Sequence, residues 1–355
     1  MEKHSTLIRL LVGIAALVII LAGIKSASEI VVPFLLSLFI AIICSPIINF
    51  MTKRKVPHWL AITLLFVMIL VIFFFLAGLI NSTAREFTQS IPQYKVLLSQ
   101  RLSDILALAA KYNLPFSVSR EQIMEHFDPS VLMNFVSRFV FSFSGVVTNV
   151  FVLFLVVIFM LLEAPNAKYK LSLALSADNR LAQHEIYIDR ILQGVISYLG
   201  VKTIISLITG ILIFILLKIA AVQYAILWAT LVFLFNYIPN IGSIIAAVPI
   251  IVQAFLLNGF ATGFAVSLGV IGVNMVMGNI VEPKMMGRKL GLSTLVVFLS
   301  LLFWGWLLGT VGMFLSVPLT MVLKIALEAD PHTMKYAVLL GEVERSHQQT
   351  VADKK

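Results

Sequence analysis

A chain of 355 residues with 60% hydrophobic and only 12% charged side chains lies far from the roughly one-quarter charged composition of soluble domains, which all but excludes a water-soluble fold. Its 26 Lys and Arg against 17 Asp and Glu leave a formal charge of +9. The basic residues sit between apolar runs, where they orient a membrane protein rather than bind nucleic acid. The single cysteine, Cys44, excludes an internal disulfide framework and a cysteine-rich metal site, and it reads as a small apolar packing residue.

A helix needs about 20 apolar residues to cross a bilayer, and lipid forces backbone polar groups into helices or closed barrels. The alternating pattern of a barrel is absent. The expectation is an all-α polytopic integral membrane protein of about eight membrane elements. Residues 1–80 supply three transmembrane helices from the uncharged runs 10–24, 30–52 and 59–84. The first imitates a signal peptide, but similar runs follow it and Ser26-Ala27-Ser28 is a poor cleavage site, so it reads as an uncleaved span.

Residues 81–138 form a periplasmic helical insert. Phe87, Ile91, Leu98, Leu102 and Ile105 recur at helical spacing, Ser119 with Gln122 makes a capping box, and Asp128-Pro129 opens another helix. A fourth transmembrane helix covers 139–162. Residues 163–202 are a cytoplasmic amphipathic insert, with Tyr187, Ile188, Ile191, Leu192, Val195 and Leu199 on one face. The short uncharged run 203–217 follows, flanked by Lys202 and Lys218, whose stems snorkel to the interface.

Residues 203–325 form the C-terminal core, with broken or re-entrant helical hairpins. The uncharged stretch 219–281 must fold back inside the membrane, and its breaks are read at 236–242 and 258–263, where Pro, Gly and Asn cluster. The run 290–323 is too long for one helix and too short for two full spans. It reads as two short helices punctuated by Gly305, Gly309 and Gly312. A cytoplasmic tail covers 326–355. With both termini in the cytoplasm, 18 of the 26 Lys and Arg fall inside and eight outside, in accord with the positive-inside rule. The uncharged tip 236–242 favours a re-entrant hairpin.

None of the six His, at 4, 58, 126, 184, 332 and 347, lies in an expected span, and every Asp lies in a loop. There is no His-Glu-x-x-His and no phosphate-binding Gly-x-x-x-x-Gly-Lys motif. Ser142 and Ser144 have no basic partner nearby. An enzyme is therefore not expected, and neither a metal nor another cofactor is called for. What stands out is a polar constellation in apolar surroundings: Asn236, Tyr237, Asn240, Asn274, Asn279 and Glu282. Such groups are costly in a membrane unless partnered or facing water, and broken helices beside them expose free backbone groups, as in secondary transporters. Glu282 precedes Pro283 and Lys284, so it caps a helix end, pairs with Arg288 or couples an ion. Trp304 and Trp306 serve as an interfacial belt or as cavity walls.

Phe235-Asn236-Tyr237-Ile238-Pro239-Asn240-Ile241-Gly242, Gly278-Asn279-Ile280-Val281-Glu282-Pro283, and Gly287 to Gly291 followed by Leu292-Ser293 closely resemble the autoinducer-2 exporter (AI-2E, or PerM) family. So do Val32-Pro33-Phe34 and Phe303-Trp304-Gly305-Trp306-Leu307-Leu308-Gly309 through Pro318. The resemblance implies a multi-pass bacterial inner-membrane protein that exports the quorum-sensing signal autoinducer-2, assembled as a homo-oligomer, a pentamer. Some relatives are described as sodium/proton antiporters. The combined expectation is facilitated or ion-coupled transport of a small, polar, diol-rich solute. Asn236, Asn240, Asn274 and Asn279 offer hydrogen bonds, Tyr237 and Trp304 wall the cavity, Pro239 and Gly242 belong to the same solute pathway, and Glu282 couples a cation or proton. The alternatives are a sodium/proton antiporter and a non-transporting membrane scaffold.

Overall fold

In a computed structural model of the chain, residues 2–111, 152–167, 170, 174, 181–239, 241–286 and 291–341 are described. Every element among them is helical. Helices α1 (Glu2–Ser26) and α2 (Ser28–Lys53) follow one another across Ala27. Pro33 and Pro46 lie inside α2, a placement that membrane helices tolerate because neighbouring groups re-satisfy the freed carbonyls. Lys55, with φ 67°, turns the chain into α3 (His58–Lys111). Of this 54-residue helix, His58–Leu79 is apolar enough to cross a membrane. The spacing seen from Phe87 to Ile105 therefore continues the third membrane helix. The expected cap at Ser119 and helix start at Asp128 lie outside the described residues.

Helix α4 (Val152–Ala167) is the described part of the fourth expected span. Helix α5 (Leu181–Ile219) runs unbroken for 39 residues, so the amphipathic stretch and the apolar run after it form one helix. Nothing between Leu199 and Thr203 breaks helical hydrogen bonding, and Lys202 is buried instead of snorkelling. Helix α6 (Ala225–Phe235) and helix α7 (Ile241–Val276) form a tight hairpin around 236–240. A π-helical turn (Met277–Val281) and α8 (Glu282–Met286) continue α7. Helices α9 (Thr294–Glu328) and α10 (Met334–Leu340) complete the described chain.

Two further breaks lie where glycine and asparagine clusters place them: Gly259 (φ 83°) inside α7 and Gly309 (φ 67°) inside α9. At Gly309 the left-handed backbone requires a residue without a Cβ, and α9 becomes two arms of a hairpin. Five described helices are long and apolar enough to cross a bilayer, and three shorter ones are also apolar. Large apolar side chains remain uncovered by protein, Ile30 at 77% and Leu268 at 73% exposed. Exposed apolar surface on that scale belongs against lipid or a partner rather than water. The chain is a polytopic α-helical membrane protein.

The chain divides into two compact units. The first comprises Met1–Leu65, Val150–Val201 and Met286–Lys355. Its core gathers Phe39 of α2, Val195, Tyr198 and Leu199 of α5, and Leu315, Val317 and Met321 of α9. The buried hydroxyl of Ser37 donates to the Leu153 carbonyl at 3.1 Å, tying α2 to α4, and Cys44 is buried on α2. The second unit comprises Phe66–Asn149 and Lys202–Met285. There Ile205, Ile213 and Leu217 of α5, Leu227 and Trp228 of α6, and Ile250, Val266 and Val270 of α7 are all buried.

Candidate solute site

Within the second unit, the α5 residues Lys202, Ser206 and Thr209 recur at helical spacing and are all buried. A polar side chain away from water must find a partner or cost several kcal/mol, of order 2–7 for a neutral group. Thr209 returns its hydroxyl to the Ile205 carbonyl one turn back, at 2.8 Å. The polar stripe otherwise reaches across to the hairpin turn at Asn236 and Tyr237 and to Glu282 after the π turn. The Asn236 amide Nδ2 donates to Ser206 Oγ at 3.1 Å, and the Tyr237 hydroxyl donates to Thr203 Oγ1 at 2.7 Å. Lys202 Nζ donates to Glu282 Oε1 at 2.5 Å. Lys202 is 2% and Glu282 25% exposed, so a charged pair lies in surroundings where an unpaired charge is prohibitively costly.

The hairpin places Asn236 and Tyr237 by close backbone contact. Ile238 N–H bonds the Phe235 carbonyl at 2.8 Å and Gly242 N–H bonds the Ile238 carbonyl at 3.3 Å. A Cβ at Gly242 would stand 1.9 Å from the Phe235 carbonyl oxygen, so only glycine admits this approach. Pro239 sits in the turn. Lower in the hairpin the buried indole of Trp228 donates to the Gln253 Oε1 of the returning arm. The Tyr237 ring meets Phe233 edge-on, centroids 5.8 Å apart.

Glu282 is positioned by a different device. Pro283 has no N–H for the carbonyl four residues back, that of Asn279, and its ring crowds that carbonyl. The chain widens into the π turn Met277–Val281 just before it, and π turns shift the register of the side chains that follow. Glu282 thereby lands on Lys202.

Of the residues singled out by sequence, the structure thus gathers Asn236, Tyr237 and Glu282 against one face of α5. Asn274 is half-buried and Asn279 exposed on the α7 segment, and neither joins this belt by a hydrogen bond among the described residues. Asn240 and Arg288 lie outside the described residues. Trp304 belongs to the first unit, where its indole donates to Thr320 Oγ1 at 3.0 Å across the α9 hairpin. Thr203 and Ser206 join the belt without being expected from the sequence, and Lys202 joins it where the sequence marks only a snorkelling flank. Their signal is present, since residues 202, 206 and 209 form a polar stripe on the mostly apolar C-terminal half of α5, but Lys202 stands where an interfacial lysine also would. Among the described residues, no three His, Cys, Asp or Glu side chains are placed to hold a metal ion.

Comparison with known proteins matches residues 14–331 to the AI-2E family transporter model. The chain is 72% identical over 345 residues to a Haemophilus influenzae protein named for transport without a substrate, covering 97% of this chain and 99% of that protein. It is 41% identical over 340 residues to the AI-2 transport protein TqsA of Escherichia coli K12, covering 95% and 97%. It is likewise 41% identical to Escherichia coli YhhT, named for transport without a substrate, covering 96% of each. With a matched model spanning nearly its whole length and a membrane fold with a polar belt among apolar helices, the chain belongs to the AI-2E transporter family and is a multi-pass membrane transporter, not an enzyme.

Proposed function

We propose that this transporter exports autoinducer-2, a small diol-rich solute, across the bacterial inner membrane, with both termini cytoplasmic. The observation that carries the reading is the belt itself, the pair of buried Lys202 with partly exposed Glu282, flanked by the Thr203–Tyr237 and Ser206–Asn236 hydrogen bonds. Each of those bonds joins two side chains that a polyol hydroxyl can equally bond. A solute can therefore replace them in kind, and the desolvation cost of leaving polar groups unpaired is avoided. Pro239 and Gly242 hold the tip that presents these groups, and Asn240, Asn274 and Asn279 are further hydrogen-bonding positions along the path. The choice of autoinducer-2 rests on likeness to TqsA, whose name states it.

Glu282 is the coupling group in this reading. Paired, it and Lys202 form a neutral unit, and a proton or sodium ion on Glu282 releases Lys202 from it. The same observation favours a second reading, sodium/proton exchange through the pair without organic solute. Efflux of autoinducer-2 from proteoliposomes holding the purified protein, with and without sodium or proton gradients, separates the two. Efflux that a gradient drives and that Glu282→Gln uncouples supports coupled export. Cation/proton exchange with no autoinducer-2 efflux establishes the antiporter instead. The homopentamer implied by the family resemblance is tested by native mass spectrometry of the purified complex.

A further inference from the structure

Within the first unit, Arg190, Gln193 and Ser197 of α5 face Lys324 and Glu328 of α9 across a cavity of about 480 Å³, a volume that suits a small metabolite. The spacing explains the lining. Positions 190, 193 and 197 share one face of α5, and 324 and 328 stand one turn apart on α9. Val195 and Leu199 of α5 and Leu315 of α9 go into the core, which leaves the polar stripes to the opening.

Two cations meet one carboxylate there. The Arg190 guanidinium lies 3.0 Å and the Lys324 ammonium 3.5 Å from the Glu328 carboxylate. Lys324 completes its contacts on a neutral group, the Gly291 carbonyl at 2.6 Å. The lining therefore carries one positive charge more than it neutralises. Arg190 is 54% exposed while Lys324 is only 17% exposed, so the site has an accessible cation at its mouth and a shielded one within. Guanidinium and ammonium donors converging in a partly enclosed space favour an oxyanion. The Lys202–Glu282 pair of the second unit is balanced by comparison.

We propose that this cavity binds a small solute bearing a carboxylate or phosphate, whose charge takes the place of Glu328 as partner to Arg190 and Lys324. Gln193 and Ser197 orient the solute through neutral hydrogen bonds. The proposal does not depend on autoinducer-2 being the exported solute. A phosphate group can come from a free solute or from a lipid headgroup, and the test distinguishes them.

The full-length protein in phosphatidylcholine nanodiscs is titrated with inorganic phosphate and followed by calorimetry and by thermal unfolding. Saturable binding that raises the unfolding temperature is expected. Arg190→Gln and Lys324→Gln should each weaken it roughly tenfold, the loss of one charge-assisted hydrogen bond. Glu328→Gln should bind phosphate more tightly, a gain that a damaged fold does not produce. Binding that persists in phosphatidylglycerol nanodiscs supports a free solute. Binding abolished there supports the anion site with a lipid headgroup as its occupant. No saturable binding in phosphatidylcholine, or binding indifferent to all three substitutions, overturns the proposal.

Discussion

Lys202 Nζ stands 2.5 Å from Glu282 Oε1, joining residues 80 positions apart in the chain. Removing Glu282 strands the Lys202 ammonium, 2% exposed, at a cost of about 3–5 kcal/mol, and removing Lys202 strands the quarter-exposed Glu282 at a smaller one. Glu282→Gln should lower the unfolding temperature in detergent markedly, and Lys202→Met should lower it less. The double substitution Lys202→Met/Glu282→Gln should recover most of the loss, because no unpaired charge remains. If the pair also couples transport, the recovered double variant still lacks gradient-driven flux, which separates the stability role from the coupling role.

How the pair arises shows what a single sequence conveys. The breaks at 236–242, 258–263 and Gly309 were legible because Pro, Gly and Asn act locally, through φ and lost hydrogen bonds. The unbroken run of α5 was not. Lys202 at the edge of an apolar run has the look of an interfacial residue, and only tertiary packing places it in the interior. Glu282 is legible as unusual, but the sequence offers a helix cap, Arg288 or an ion for it and gives no sign of Lys202, 80 residues away. The π turn Met277–Val281 that precedes it is a rare backbone form that Pro283 alone does not announce.

Tyr237 and Asn236 supply a test of the belt that leaves its charges intact. Tyr237→Phe removes the donor to Thr203 and should cost about 0.6–1.7 kcal/mol, as interhelical hydrogen bonds in membranes do. Asn236→Ala similarly strands Ser206. If these groups meet the solute, solute affinity in proteoliposomes falls well beyond what so small a stability change produces. Flux unchanged in both well-folded variants removes them from the path.

The approach of Gly242 to the Phe235 carbonyl leaves no room for a methyl group. Gly242→Ala must push the α6 and α7 arms apart, and overpacking against backbone costs about 1–3 kcal/mol or more. The substitution should lower the unfolding temperature and displace Asn236 and Tyr237 together, so its transport defect should resemble that of the two combined. A substitution at Gly278, where a Cβ meets no atom within 4 Å, serves as the control and should leave stability nearly unchanged.

The α9 hairpin gives the last prediction. Its two arms meet at Gly309, and the Trp304 indole donates across them to Thr320 Oγ1, whose own hydroxyl donates to the Ser316 carbonyl at 2.8 Å. Trp304→Phe keeps most of the aromatic volume and removes the donor. Thr320→Val keeps the shape and removes the acceptor. Each should cost about 0.6–1.7 kcal/mol. Because both delete the same bond, the double variant should cost clearly less than the two singles added. Additive losses in thermal unfolding would mean that the indole is held by packing alone, leaving its N–H available to line a solute path. Non-additive losses with normal flux assign Trp304 to the hairpin and remove it from the proposed solute path.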